Sequence, residues 1–149
     1  MTMPGVLHLA AALLSLALGV LVLARRKGDA WHLRAGRWYV ALMLVVNAAG
    51  LLVYQDRPGI GPFHVLAAVS LVTLAGAFLA IRRRPRTVGS VTAHGIMMGW
   101  SFAGLAAAGV GQGAADLAFP VWPSIAVALV VGGGLIHRGR IAETARKLV

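Results

Sequence analysis

Five long apolar runs, separated by short polar segments, divide the chain. Each run is about 20 residues long, the length that a helix needs to cross the hydrocarbon core of a bilayer. None shows the short alternating segments of a membrane barrel, and helices satisfy their own backbone groups in lipid. We therefore predict an all-α polytopic membrane protein that forms one transmembrane domain over residues 1–149. Its first four helices are expected to form an antiparallel four-helix transmembrane bundle, with a fifth transmembrane helix appended. The expected helices span about residues 4–24, 31–54, 63–81, 88–111 and 120–137.

The composition agrees with a membrane location. Hydrophobic residues make up 59% of the chain and charged residues only 12%, whereas about a quarter of the residues in a soluble domain are charged. The chain has no cysteine, so disulfides, thiol chemistry and cysteine-bound clusters are excluded.

The first apolar run is followed at once by Arg25, Arg26 and Lys27. A secretory signal peptide has its positive charge before the apolar core and a small-residue cleavage site after it. Because the charge order is reversed here, we expect an uncleaved anchor with its N-terminus outside.

The positive charges are concentrated in alternate predicted loops, those on the inner side of the membrane. Of the 14 Lys and Arg residues, only Arg57 falls on the predicted outer side. This pattern follows the positive-inside rule and predicts a multi-pass membrane protein with its N-terminus outside and its C-terminus in the cytoplasm. The basic run at residues 82–86 could bind nucleic acid or anionic lipid, but an inner-face topology anchor explains it, so no nucleic-acid partner is expected.

Small residues recur at every fourth position of the fourth apolar run. Such a stripe lets another helix approach closely, within the chain or across a homo-oligomer. The stripe consists of Gly95, Gly99, Ala103, Ala107 and Gly111.

Two other polar or small features lie inside the spans. Asn47 is the strongly polar residue in the middle of the second span, and an interhelical hydrogen bond is expected for it rather than a substrate contact. On the first span, Ala12, Ser15 and Gly19 form a small-residue face below His8. Tight helix packing and a cavity for a flat cofactor both explain this face.

Four histidines sort by depth in this topology. His8 on helix 1 and His64 on helix 3 lie near the outer surface, whereas His32 on helix 2 and His94 on helix 4 lie toward the inner surface. In an up-down bundle, helices 1 and 3 are diagonal partners, as are helices 2 and 4. This predicts two bis-histidine haem b sites, because neutral imidazole suits haem iron. The inner pair differs in depth by about 8 Å at 1.5 Å per residue, and copper or zinc also fits the outer pair. His137, beside Arg138, is expected to be an interfacial residue.

The chain lacks the residues that several classes of membrane transporter and enzyme need. The carboxylates fall in predicted loops or the tail, so the usual proton carrier of a transporter is missing. No phosphate-binding loop, paired nucleophile and base, or two-histidine helical metal motif is present. These carboxylates are Asp29, Asp56, Asp116 and Glu143.

Two interpretations of the function remain open. In the first, the chain is a transmembrane electron-transfer protein that exchanges electrons with a quinol or another small reductant. Arg34 and Arg37 would then pair haem propionates or an anionic substrate, although contact with lipid headgroups explains them equally well. Ser101 or Tyr39 would hydrogen-bond near a haem. In the second, it is an accessory or scaffold subunit of a larger membrane complex, and its histidines are hydrogen-bonding interface residues.

Three segments resemble motifs of a large family of small bacterial membrane proteins known only as a domain of unknown function. They read KGDAWHLRAGRWYVALMLVVN, GPFHVLAAVSLVTLAG and HGIMMGWSFAGLAAAG. The resemblance covers residues 6–111 and implies a four-helix core with the four histidines, but no activity. It also implies that the membrane is the bacterial cytoplasmic (inner) membrane. The family's fourth-helix motif often continues to a glutamate, where this chain has Gly111, Gln112 and Gly113. The arrangement of the histidines is also similar to that of transmembrane di-haem b cytochromes.

Overall fold

The computed structural model describes residues 3–52 and 60–149, and every element in these ranges is an α-helix. Among these helices, five are long and apolar enough to cross a membrane. The predicted all-α polytopic class is therefore confirmed. The helices are α1 (Met3–Ala24), α2 (Ala30–Leu52), α3 (Pro62–Arg82), α4 (Val88–Asp116), α5 (Val121–Arg138) and a short α6 (Ile141–Arg146).

Part of the predicted outer surface lies outside the described residues. This applies to the predicted outer end of helix 2 at Tyr54 and to most of the loop that follows it, including Asp56 and Arg57.

Side chains fix the beginnings of two helices. The Asp29 carboxylate accepts a hydrogen bond from the backbone N–H of His32 at 2.7 Å and caps α2. Thr87 and Ser90 form a reciprocal capping box at the start of α4, with both side-chain-to-backbone bonds at 3.1 Å. Such caps satisfy backbone donors that have no partner inside the helix. These helices thus begin where their own sequences provide an acceptor.

Helix α4 continues past the predicted end at Gly111 and stops at Asp116. Beyond it, the N–H of Phe119 bonds the carbonyl of Ala114, and the N–H of Ala118 bonds the carbonyl of Ala115. This is a Schellman termination, in which the residue after the cap adopts a left-handed conformation. Here that residue is Ala118, with a φ of 57°. A carboxylate predicted to lie in a loop is therefore the last residue of a helix.

The contacts divide the chain into two compact units, one ending at Leu71 and the other beginning at Val72. In unit 1, α1 packs along α2. In unit 2, α4 packs against α5 and α6. The four-helix bundle expected from the sequence draws on both units and stays a prediction.

Unit 1 contains a buried polar contact between two helices. The side-chain amide of Asn47 on α2 donates to Ser70 Oγ on α3 at 3.0 Å and to the carbonyl of Met43 at 2.7 Å. The predicted interhelical role of Asn47 is confirmed. On α1, Ser15 and Gly19 are buried, so this small-residue face is packed.

Lys27 caps the end of α1 through its ammonium group. Its Nζ donates to the carbonyls of Val22 and Leu23, at 2.5 and 2.7 Å, and to that of Arg25 at 3.1 Å. A cation at this position satisfies carbonyls that the helix leaves unpaired and interacts favourably with the helix dipole. Burial lowers the pKa of Lys27, because the charged amine is partly desolvated.

In unit 2 the small-residue stripe of α4 is a packing face. A Cβ on Gly99 would lie 3.1 Å from Ile136 Cγ1 of α5, and one on Gly95 would lie 2.7 Å from Ile141 Cγ2 of α6. A Cβ on Gly132 of α5 would lie 2.8 Å from Ala103 Cβ. The predicted close approach of another helix is confirmed, and it occurs within the chain.

Ion pairing contributes little to the described part of the chain. It is limited there to Arg140 and Glu143, 3.6 Å apart and both exposed. Large apolar side chains cover the outside of the helices instead, including Leu14 of α1, Val72 of α3 and Val130 of α5. Such a surface suits lipid contact.

Candidate histidine site

His8 packs against α2, where it makes a hydrogen bond and lies beside a glycine that leaves room for its ring. Its Nδ1 lies 2.9 Å from the carbonyl oxygen of Val46. The ring also lies beside Gly50, where a Cβ would come within 3.1 Å of His8 Cε1. Because a carbonyl can only accept, Nδ1 carries the proton, and in the neutral ring the lone pair is on Nε2.

His94 makes the same kind of bond within unit 2. Its Nδ1 lies 3.0 Å from the carbonyl oxygen of Ala77 on α3. The side chain is half-buried. As in His8, the carbonyl assigns the proton to Nδ1 and leaves the Nε2 lone pair available in the neutral ring.

This pair of contacts matches the chemistry of a metal-ligating histidine. Such residues typically donate one ring N–H to a carbonyl or carboxylate, which fixes the tautomer and the orientation of the ring. The other nitrogen then binds the metal. His8 and His94 both meet the first condition.

In His64 the hydrogen bond at Nδ1 runs in the opposite direction. The backbone N–H of Gly61 donates to His64 Nδ1 at 3.1 Å, close to the start of α3. Nδ1 is therefore an acceptor, and the neutral ring carries its proton on Nε2. Binding of a metal through Nε2 would need the proton to move and the bond from Gly61 to open.

The other two histidines lie near helix ends. His32 is in the first turn of α2, is half-buried, and uses its backbone N–H for the Asp29 cap. His137 is exposed in the last turn of α5. The exposed position of His137 agrees with the interfacial role expected for it.

The predicted ligand set is distributed over both units. His8, His32 and His64 belong to unit 1, whereas His94 belongs to unit 2. Within residues 3–52 and 60–149, no three histidine or carboxylate side chains come together as a group that could hold a metal ion. The pairing of His8 with His64, and of His32 with His94, stays a prediction.

Other residues assigned to the site have local roles. Ser101 donates to the carbonyl of Met98 in its own helix at 3.0 Å, and Tyr39 is buried. Arg34 and Arg37 are exposed on α2. Ser15 is fully buried, and its hydroxyl makes no hydrogen bond in the described part of the chain.

Sequence reasoning missed the partners of the histidines because they are main-chain atoms. A carbonyl acceptor at Val46 or Ala77 leaves no mark in residue type. Gly50 was the available signal, because a glycine one turn after an acceptor gives a ring room to approach the helix.

Comparisons with known proteins bear on the family alone. No curated protein and no solved structure matches the chain significantly. The model of a family described as "Predicted membrane protein (DUF2306)" matches residues 5–137, which extends the resemblance found in the sequence into α5. A similarity to haem cytochromes is not among these findings. The chain therefore belongs to the DUF2306 family of predicted membrane proteins.

Proposed function

We propose that this protein carries electrons across the membrane and binds haem b through paired histidines, His8 with His64 and His32 with His94. The observation that supports the proposal is the Nδ1-to-carbonyl bond made by both His8 and His94. Each bond orients a neutral imidazole with its Nε2 lone pair available, as a haem ligand requires.

Bound haem b would supply a one-electron redox centre, and each haem would be held by one pair of histidines. The protein residues position the group and tune it. Val46 and Ala77 hold the two rings, and Arg34 and Arg37 offer guanidinium groups for propionates. A quinone or a small reductant would be the partner that gives or takes the electrons.

An absorption spectrum of the purified protein, reduced minus oxidised, tests the proposal together with the iron content per chain. We expect a b-type haem signal and two irons per chain. His64→Ala should halve the signal, and His64→Ala combined with His94→Ala should abolish it. His137→Ala is the matched control, because this exposed histidine is outside the set. A colourless protein from haem-replete cells would contradict the proposal.

The proposed electron path needs a defined orientation in the membrane. The charge pattern supports an N-terminus outside and a C-terminus inside, and the family resemblance of the sequence implies a bacterial cytoplasmic membrane. Accessibility of tags at both termini tests this, and a C-terminal tag that reacts from the outer side would overturn it.

A second candidate is an accessory or scaffold subunit of a larger membrane complex. The observation that favours it is the same pair of histidine bonds, because each one already joins two helices without a ligand. Purification from native membranes separates the two functions. A stable, colourless complex with partner subunits supports the accessory role, and a coloured chain that is monodisperse alone, as monomer or homo-oligomer, opposes it.

A further inference from the structure

A pocket of about 520 Å³ lies in unit 2, where α3 ends and α4 begins. Its lining combines small apolar residues of the two helices with the basic turn between them. Two of the lining residues, Arg83 and Arg84, are exposed arginines. The lining includes Ala80, Arg83, Arg84, Thr87, Gly89 and Ala93.

No ion pair within residues 3–52 and 60–149 neutralises Arg83 or Arg84. Unit 2 has only two carboxylates, Asp116 and Glu143. Glu143 pairs with Arg140, and Asp116 accepts a hydrogen bond from Gln112 near the other end of α4. In the described part of the chain, the pocket therefore carries positive charge with no counter-ion.

The neighbouring arginine behaves differently. Arg82 stacks over the ring of Phe78, with its guanidinium carbon 4.3 Å from the ring centroid. This contact holds Arg82 on its own helix, and Arg82 does not line the pocket. Of these three arginines, Arg82 is therefore held on its own helix, whereas Arg83 and Arg84 line the pocket.

We propose that this pocket binds the phosphate of an anionic phospholipid headgroup. A guanidinium group matches a phosphate with two parallel hydrogen bonds, and two adjacent arginines suit a phosphodiester. The pocket lies where two membrane-crossing helices leave the apolar region, which is the depth of lipid headgroups. Ala80 and Ala93 supply an apolar wall for the first carbons of the acyl chains. These two features favour a lipid over a soluble phosphate.

The test uses the full chain in mild detergent, with lipid binding measured by native mass spectrometry. We expect phosphatidylglycerol to bind more tightly than phosphatidylcholine. The combined variant R83Q and R84Q should weaken phosphatidylglycerol binding at least about tenfold. The matched control, R138Q and R146Q, removes the same charge from exposed positions at the ends of α5 and α6 and should leave binding nearly unchanged. Equal losses in both double variants, or no loss in either, would overturn the proposal.

A second variant fills the pocket without changing its charge. A Cβ on Gly89 would meet Thr87 Oγ1 at 3.7 Å, an ordinary contact, so Gly89→Phe is expected to fold. It should block lipid binding, whereas Gly113→Phe, at a position with nothing within 4 Å, should not. Unchanged binding in Gly89→Phe would contradict the assignment of the pocket.

A competition with inorganic phosphate identifies the source of the ligand. Phosphate at millimolar concentration should fail to displace phosphatidylglycerol, because it lacks the glycerol and acyl parts. Displacement would overturn the lipid assignment in favour of a soluble anion. None of these measurements depends on haem, so the pocket and the electron-transfer function can fail separately.

Discussion

Asn47 donates its side-chain amide to Ser70 Oγ at 3.0 Å, which joins α2 to α3 inside unit 1. Both side chains are buried. In lipid such bonds contribute about 0.6 kcal/mol on average and at most about 1.7, because the separated helices also find polar partners. The bond is therefore a modest stabiliser that also sets the register of the two helices.

A double-mutant cycle measures that contribution. We expect Asn47→Ala and Ser70→Ala to destabilise the protein, with a coupling of about 0.5–1.5 kcal/mol between them. Unfolding in a denaturing detergent gives the free energies. A coupling indistinguishable from zero would show that the contact does not contribute to stability.

Substitution on the α4 packing face should be far more damaging. Gly99→Leu places a large side chain against Ile136 of α5, where even a Cβ would lie at 3.1 Å. We expect a marked loss of folded protein in mild detergent, at about 1–3 kcal/mol. Gly109→Leu is the matched control, because that glycine is exposed and has nothing within 4 Å. Similar yields from the two variants would contradict the packing role.

Gly50 should control the position of the His8 ring. Gly50→Val puts a branched side chain where His8 Cε1 would be only 3.1 Å from the new Cβ, so the bond from Nδ1 to Val46 should break. We expect lower thermal stability and, if haem is bound, loss of about half of its absorbance. Gly36→Val, on the same helix with nothing within 4 Å, should change neither. An effect of equal size in both variants would indicate a general intolerance of α2.

The end of α4 offers a stabilising substitution. Ala118 has a φ of 57°, a left-handed conformation that glycine adopts without steric cost. Ala118→Gly should therefore raise the free energy of unfolding by about 0.5–1 kcal/mol. Ala115→Gly, inside the same helix, should lower it by about 1 kcal/mol. Thermal unfolding in detergent compares the two, and destabilisation of both would argue against the Schellman end.

Lys27→Met should loosen the end of α1. The variant loses the amine that donates to the carbonyls of Val22, Leu23 and Arg25 in its charged and neutral forms, and we expect a destabilisation of about 0.5–1.5 kcal/mol. Comparing the unfolding of the variant and the wild type at neutral pH gives this difference.

The pH dependence of the stability difference between the wild type and Lys27→Met provides a further check. Because the folded protein has the lower Lys27 pKa, the unfolded chain binds this proton more readily. The contribution of Lys27 to stability is thus present above its ordinary pKa of 10.5 and falls as the pH drops through the folded value. The advantage of the wild type over Lys27→Met should grow from neutral pH toward 10.5. A constant difference would show that the pKa is not lowered.

The sequence predicted the spans well because hydrophobic length and charge at the ends determine them. It also predicted the contact faces of Gly99 and Asn47, since small and polar residues have few other uses in lipid. The end of α4 was predicted too early because Gly111 and Gly113 suggest a break, whereas the backbone of a helix tolerates both. A left-handed Ala118 has no signal in the sequence.

The candidate site was less predictable. Histidine positions can be read from the sequence, but the proton on each ring depends on a main-chain partner. His8 and His64 look equivalent in the sequence, yet Val46 accepts from one ring and Gly61 donates to the other. The difference arises from tertiary structure and from a turn, and neither is encoded in the spacing of the histidines.

Ion pairs are scarce in the described part of the chain, and we expect its folding to respond little to salt. In the described ranges the one pair, Arg140 with Glu143, is exposed and contributes little, so screening it should scarcely affect folding. Arg83 and Arg84 would attract anionic molecules by their charge, and this attraction weakens as the ionic strength rises. A concentrated salt wash should therefore remove molecules that are bound by charge while the helices remain packed. Such a wash distinguishes contacts within the protein from ligands bound to its surface.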